Sequence, residues 1–271
     1  MSRHIVAAVQ MTSTDRKSEN LATAERLIRQ ATERGAELIA LPELFNCLGQ
    51  PDVISANAES IPGPTSQMMG ELAAELKITL VAGSIGERTE SNKICNTSLL
   101  FGPEGSQLAK YQKIHLFDID LPGIVTFRES DFMTPGQTLA VTETNVGKLA
   151  QATCYDIRFP ELFRLYAQRG AELVVTPAAF TMPTGRDHWH VLLRARAIEN
   201  QMFVVAPNQF GKHGGELHSY GRSIIIDPWG TVLAQASDGE GVITAEIDLE
   251  QQVTIRSRLP CLQHRRDLDQ L

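Results

Sequence analysis

Cysteine is scarce in this chain: four occur in 271 residues, and Cys47, Cys95, Cys154 and Cys261 stand too far apart to form a CxxC or CxxH pair. Neither a zinc site nor a disulfide framework organises such a sequence, and a reducing cytoplasm is its expected home. Basic charge is also short. Lys and Arg number 25 against 32 Asp and Glu, and the net charge of −7 argues against a general affinity for nucleic acid or an anionic membrane. The densest basic cluster, His264-Arg265-Arg266, is too brief to reverse that balance and reads as a solvated stretch with local ion pairs. No apolar run approaches the roughly 20 residues of a membrane span. The opening Met1-Ser2-Arg3-His4 lacks the apolar region and cleavage site of a signal peptide. Low-complexity tracts are missing too, so folding throughout, as one domain over residues 1–271, is expected.

What is present is alternation. Apolar runs of strand length exchange with helix-period segments, the pattern of α/β layers. Residues 6–11 read as a strand, 20–34 as a helix with Leu21, Ala24, Leu27, Ile28 and Ala31 on one face, Gly35 as its cap, and 37–41 as a strand. The same order returns at 149–153, 161–169, Gly170 and 172–176. The residues return with it: Arg34-Gly35-Ala36-Glu37-Leu38 and Pro42 match Arg169-Gly170-Ala171-Glu172-Leu173 and Pro177, and Phe45 matches Phe180 at the same offset. Two related halves, each a sheet covered by helices, would bury their sheets face to face as a four-layer α-β-β-α sandwich. Further strands are expected at 203–206, 223–226, 232–236 and 242–247, with a turn at Asp227-Pro228-Trp229-Gly230.

Three residues stand out chemically. Cys154 follows a strand and precedes Tyr155-Asp156-Ile157-Arg158-Phe159-Pro160-Glu161, where Pro160 suits the first turn of a helix. A thiol at such a bend meets free backbone N–H groups, as a nucleophile with an oxyanion hole requires, although a buried structural cysteine is the plainer reading. Glu43 sits among apolar neighbours in Leu41-Pro42-Glu43-Leu44-Phe45, so it is either a base near a thiol or a carboxylate anchoring a loop. Lys113, in Tyr111-Gln112-Lys113-Ile114-His115, is by itself a surface lysine; beside Cys154 and Glu43 it would stabilise a thiolate and an oxyanion. His115 reads as a hydrogen-bonded structural histidine more readily than as the partner of a Cys-His dyad.

Taken together, Leu41-Pro42-Glu43, Tyr111-Gln112-Lys113-Ile114-His115 and the segment from Cys154 to Glu161 resemble the three signature segments of the nitrilase, or carbon-nitrogen hydrolase, superfamily. The likeness runs along nearly the whole chain, through Gly123, Glu129, His188-Trp189, Arg194 to Glu199 and Asp227 to Gly230; only Leu149-Ala150-Gln151-Ala152-Thr153 departs from it, where relatives often carry glycines. The resemblance implies the α-β-β-α sandwich, a Glu43-Lys113-Cys154 triad, Glu129 as a supporting pocket carboxylate, the Tyr155 backbone N–H in the oxyanion hole, no metal and no organic cofactor, and a homodimer or larger homo-oligomer. Cys-Tyr-Asp-Ile-Arg-Phe-Pro-Glu is similar to the amidase branch. Within it, residues 113–120 resemble omega-amidases and the second half resembles deaminated glutathione amidases. The favoured expectation is a small-molecule amide of a carboxylate metabolite, deaminated glutathione foremost, hydrolysed through a thioester to acid and ammonia. A catalytically inactive scaffold is the alternative of another class, disfavoured because all three triad residues are present. A carboxylate substrate needs a cation besides Lys113: Arg186 is the expected one, with Lys212 and His213 as alternatives in the Gly-rich segment 211–216. That segment is either a cover for a longer, peptide-like substrate or a plain surface hairpin.

Overall fold

A computed structural model describes residues 3–121, 125–215 and 217–266. Gly123 and Glu216 lie outside the described residues. Three parallel strands, Arg3–Gln10, Leu38–Ala40 and Thr79–Val81, form the centre of the first sheet. Gly241–Asp248 returns antiparallel along the whole length of the first of them, from Arg3 opposite Asp248 to Gln10 opposite Gly241. Ile85–Arg88, Ile94–Phe101 and Gln107–Gln112 complete the other edge, giving seven strands among the described residues. The second sheet repeats the parallel trio with Gly147–Gln151, Leu173–Val175 and Phe203–Ala206, flanked by Ala140–Thr144 on one side and by Ile224–Ile226 and Val232–Gln235 on the other.

Period-two alternation explains why these strands read as unbroken apolar runs. Val6 and Ala8 face inward, toward Leu149, Leu173, Val175, Phe203 and Val205 of the opposite sheet. Ala7 and Val9 point the other way, into a layer with Ala24, Leu27, Ile28, Met69 and Leu72 from helices Lys17–Glu33 and Pro64–Leu76. On the second sheet Val174, Val204 and Ala206 likewise meet Phe163, Tyr166, Trp189 and Leu193 from helices Pro160–Gln168 and Met182–Asn200. The central strands are thus buried on both faces, which makes the molecule an α-β-β-α sandwich.

The repeated Gly-Ala-Glu-Leu has a shared physical job. Gly35 and Gly170 both take positive φ, 81° and 83°, just past their helices. Glu37 N–H then donates to Ile5 O and Glu172 N–H to Lys148 O, both at 2.8 Å, so each Glu starts the parallel pairing of its half. Helix Lys17–Glu33 begins earlier than its apolar periodicity indicates, because its first turn is polar and Asn20 is buried by hydrogen bonds to Thr14 and Asn46. The first strand ends at Gln10, and Met11 makes only an isolated bridge to Gln209. The glycine-poor run before Cys154 packs without gaps: Ala150 and Ala152 are fully buried, and Gln151 donates to Ser98 Oγ across the sandwich at 2.9 Å. Among the described residues no helix is long and apolar enough to cross a membrane.

Candidate active site

The parallel strands of both halves deliver their carboxyl ends to one place, as open α/β sheets do. Just beyond Leu38–Ala40 comes Glu43; just beyond Gly147–Gln151 comes Cys154. The Cys154 N–H donates to Pro177 O at 2.8 Å, and its φ of +46° is one that a side chain rarely adopts. Strain at this point turns the thiol out of the sheet and opens the short 3-10 helix Cys154–Arg158, whose first N–H groups have no partner within the turn. Tyr155 supplies the second of these N–H groups.

Asp156 secures that bend to the lysine-bearing segment. Its buried carboxylate accepts from the Tyr111 hydroxyl at 2.6 Å, Thr153 N–H at 2.8 Å, His115 N–H at 3.0 Å and the His115 ring Nδ1 at 2.7 Å. His115 also stacks on Phe159, with ring centroids 3.6 Å apart. It therefore faces Asp156, not the thiol.

Lys113 is 2% exposed, and its ammonium lies 2.9 Å from Glu43 Oε1 and 2.8 Å from Glu129 Oε2. Asn96 Nδ2 bridges the two carboxylates at 2.8 and 3.1 Å. Glu43 accepts a third bond, from Ala179 N–H at 2.8 Å, and Glu129 takes one from Phe117 N–H at 2.6 Å. Burial alone would drive the proton off Lys113; the charges of Glu129 and Glu43 overcome it and hold the ammonium well above the usual lysine range. Burial pushes Glu129 up, with Lys113 opposing and Glu43 reinforcing the shift. Cys154 is pushed far up by burial and by the neighbouring Glu43 charge, while Lys113 opposes. The resting group is a thiol, so a base is needed to activate it.

A cleft opens over this cluster, lined by apolar side chains such as Leu48, Phe127, Phe132 and Met133, and by His213, His218 and Ser219 of the Gly-rich hairpin. A second, smaller hollow meets the first at Cys154 and runs past Tyr155, Phe180 and Thr184. Arg186 is not part of either. It sits on the outside of helix Met182–Asn200 with 75% of its side chain exposed, paired with Asp187 at 3.2 Å, so the expected carboxylate cation is misplaced. Counting positions after the strand put it near the site, but the helix begins at Met182 and turns it outward. Lys212 is exposed on the hairpin Phe210–Lys212/His218–Tyr220. His213 does line the cleft, yet burial lowers it to about 4, so it carries no charge at neutral pH.

Sequence reasoning missed Arg158, whose guanidinium lies over the rings of Tyr155 and Phe180 at 5.6 and 5.2 Å and makes no carboxylate pair among the described residues. It missed Asn96 as well, although an Asn inside the wholly buried strand Ile94–Phe101 was a legible anomaly.

A carbon-nitrogen hydrolase family profile matches residues 5–256. The chain belongs to that family. It is 42% identical to an omega-amidase NIT2 of Xenopus tropicalis over 98% of this chain and 96% of the relative. It is also 42% identical to a deaminated glutathione amidase of Synechocystis over 98% and 99% of the two. The crystal structure of Saccharomyces cerevisiae Nit3, a member of branch 10 of the nitrilase superfamily, superposes with a TM-score of 0.89 at 35% identity, covering 98% of this chain and 97% of that one. Among the described residues no group of three or more His, Cys, Asp or Glu is arranged to hold a metal ion.

His213 gives the folded protein a pH signature. The unfolded histidine takes up a proton near pH 6.5 and the folded one only near 4, so the contribution of this site to stability is complete above 6.5 and is lost as pH falls toward 4. Thermal melts of His213→Gln should show a shallower loss over that window than the wild type; parallel curves would contradict the assignment.

Proposed function

We propose that this carbon-nitrogen hydrolase is a cysteine amidase in which Cys154 is the nucleophile, Glu43 the base and Lys113 the electrostatic partner, acting on amides of small oxo-carboxylates with deaminated glutathione preferred. The observation that carries the reading is that Cys154, Glu43 and Lys113 line one cleft, with the Glu43 carboxylate gripping a buried ammonium at 2.9 Å. Glu43 takes the thiol proton as the sulfur attacks the amide carbon. The oxyanion is held by the Lys113 ammonium and the Tyr155 N–H. On collapse the C–N bond breaks, and Glu43 returns the proton to the leaving nitrogen. A water molecule, deprotonated by Glu43, then attacks the thioester, releasing the acid and restoring the thiol. Water is the only co-substrate, and the four bonds that hold Glu43 and Glu129 to Lys113, Ala179 and Phe117 keep both carboxylates in place for the two steps.

With deaminated glutathione the leaving group is cysteinylglycine, because the scissile bond joins the oxo acid to the cysteine nitrogen; ammonia is the product only from omega-amides such as 2-oxoglutaramate. Two hollows meeting at Cys154 suit such a substrate. In this reading the smaller, lined by Tyr155 and Phe180 on which Arg158 stacks, takes the oxo acid, and the larger, on the side of Glu43 and Lys113, takes the dipeptide. A specificity test is steady-state kinetics on deaminated glutathione, 2-oxoglutaramate, glutamine and simple nitriles. The expected result is the highest kcat/KM for deaminated glutathione. Preference for 2-oxoglutaramate would make the enzyme an omega-amidase, and turnover of nitriles alone would overturn the amidase assignment.

Arg158 takes the place expected of Arg186 as the cation for the substrate carboxylate. Its guanidinium lies over the rings of Tyr155 and Phe180 with Nη1 3.2 Å from His188 Nδ1, so a substrate carboxylate would compete with that exposed contact and not with an ion pair. Arg158→Ala should raise KM by about 10- to 100-fold, with a smaller effect on kcat, as expected for loss of a charge-assisted contact. Unchanged KM in that variant, or an equal effect of Arg186→Ala, would refute this placement.

The homodimer belongs to the same proposal. Val191 and Ile198 lie two turns apart on helix Met182–Asn200 and are exposed together with Leu165 and Trp229, an apolar patch of the kind that mates with a copy of itself. Sedimentation should give a dimer for the wild type and a monomer for Val191→Glu/Ile198→Glu.

A further inference from the structure

His213 is a buried polar group that this mechanism leaves unused. The histidine is 3% exposed and lines the larger cleft. Its Nδ1 lies 2.7 Å from the carbonyl oxygen of Ser13. A carbonyl only accepts, so Nδ1 carries the ring proton and Nε2 is a bare lone pair. Nε2 is buried and has no partner among the described residues. The backbone around it is well tied down: His213 N–H donates to Leu217 O at 3.0 Å, and Phe210 N–H to Met11 O at 2.9 Å, so the ring is set by the hairpin and by the first strand. A buried acceptor left without a donor is costly, and in a cleft built for substrate the natural donor belongs to the substrate.

The charge of the site decides what that donor is. A neutral histidine with an unpaired lone pair repels a carboxylate, which removes His213 from the cations considered for that role. It accepts from an N–H or O–H instead. Resting on the assignment of the larger cleft to the leaving group, we propose that His213 Nε2 accepts a hydrogen bond from a secondary-amide N–H of a peptide leaving group, one amide bond beyond the scissile one. This contact would select a peptidyl amide over a primary amide, which has no N–H at that distance. It also gives the Gly-rich hairpin a role in recognition.

The test pairs protein and substrate changes. Deaminated glutathione is compared with an analogue in which the glycine N–H is replaced by an ester oxygen. Wild type should lose on the order of 10- to 100-fold in kcat/KM on that exchange, mostly through KM, as expected when a buried polar group loses its partner. His213→Phe, with no lone pair to satisfy, should treat the two substrates alike, and His213→Gln, which restores an acceptor, should recover part of the preference. A His213→Phe enzyme that keeps the wild-type amide-to-ester ratio would overturn the proposal, as would a wild type indifferent to the exchange. In case His213→Phe does not fold, ring nitrogen-15 spectra of Cys154→Ala protein supply the same answer: deaminated glutathione should move the Nε2 resonance upfield and the ester should not. Failure of wild type to cleave deaminated glutathione at all is a different result and counts against the amidase substrate, not against the lone pair.

Discussion

Cys154→Ala should lower turnover of deaminated glutathione by a factor on the order of 10⁴ to 10⁶ while leaving a folded protein, the scale seen when a covalent nucleophile is removed. The Cys154 sulfur makes the first bond to the acyl carbon in the proposed path, and without it water must attack an unactivated amide. The charge cluster of Glu43, Lys113 and Glu129 would persist and supply the small residual rate. Stability should change little. The lost side chain is one buried sulfur, and alanine tolerates the φ of +46° no worse than cysteine does, so a cost of about 1 kcal/mol, or about 2–4 °C in Tm, is expected. Mass spectrometry of quenched turnover mixtures should find an acyl adduct on the wild type and none on the variant. Turnover above a few per cent in a folded Cys154→Ala protein would sink the nucleophile assignment.

Glu43→Gln separates base from anchor. Glutamine keeps the acceptor for Ala179 N–H and the packing, so the fold should hold with a modest fall in Tm. Both acylation and thioester hydrolysis should slow by about 10²- to 10⁴-fold, the range of general-base catalysis. Because the resting thiol depends on this base, alkylation of Cys154 by iodoacetamide should slow in parallel. A variant that unfolds readily but works at the wild-type rate when folded would assign Glu43 to anchoring alone.

Much of this was legible in the chain because the two halves repeat at points that physics fixes. A helix cap needs positive φ, so Gly35 and Gly170 recur; a parallel pair needs its first N–H bonded, so the residues after them keep step. Glu43 follows the second strand of the first trio and Cys154 the first strand of the second, so both lie beyond the carboxyl ends of parallel strands, though not at equivalent ones. What the sequence did not disclose were contacts set by long-range closure. Asn96 bridges two carboxylates from segments on either side of it, and Asp156 joins the Cys154 bend to Tyr111 and His115, distances along the chain of more than 40 residues. The direction of Arg186 was illegible for a local reason: a single residue of shift in the helix start rotates a side chain by about 100°, enough to exchange cleft for solvent. Arg158 was hidden in plain view within the signature segment, since only the rings beneath it mark it as a binding group.

Lys113→Met should be both inactive and strongly destabilised, which sets it apart from Cys154→Ala. The ammonium is the single cation between two carboxylates that are each 3% exposed, and methionine fills its space without its charge. Glu43 and Glu129 would then face one another through Asn96 alone. Breaking a buried ion pair from one side costs about 3–5 kcal/mol, because the remaining charge keeps its desolvation penalty. The pair can escape by binding a proton, and this fixes the pH dependence. Glu129 is already held above the ordinary carboxylate range by burial, and loss of Lys113 removes the positive charge that opposes the shift. A carboxylate whose folded pKa lies above its unfolded one weakens the fold as pH rises from the unfolded value through the folded one, and is harmless below both. The Tm deficit of Lys113→Met relative to wild type should therefore be largest at neutral and alkaline pH and shrink as pH falls toward 4.5. Activity should not return on acidification, since the oxyanion loses its charged partner whatever the protonation of the carboxylates, a loss of at least about 10²- to 10³-fold. A constant deficit across pH would mean that the lysine stabilises the protein by packing its stem and not by neutralising Glu43 and Glu129.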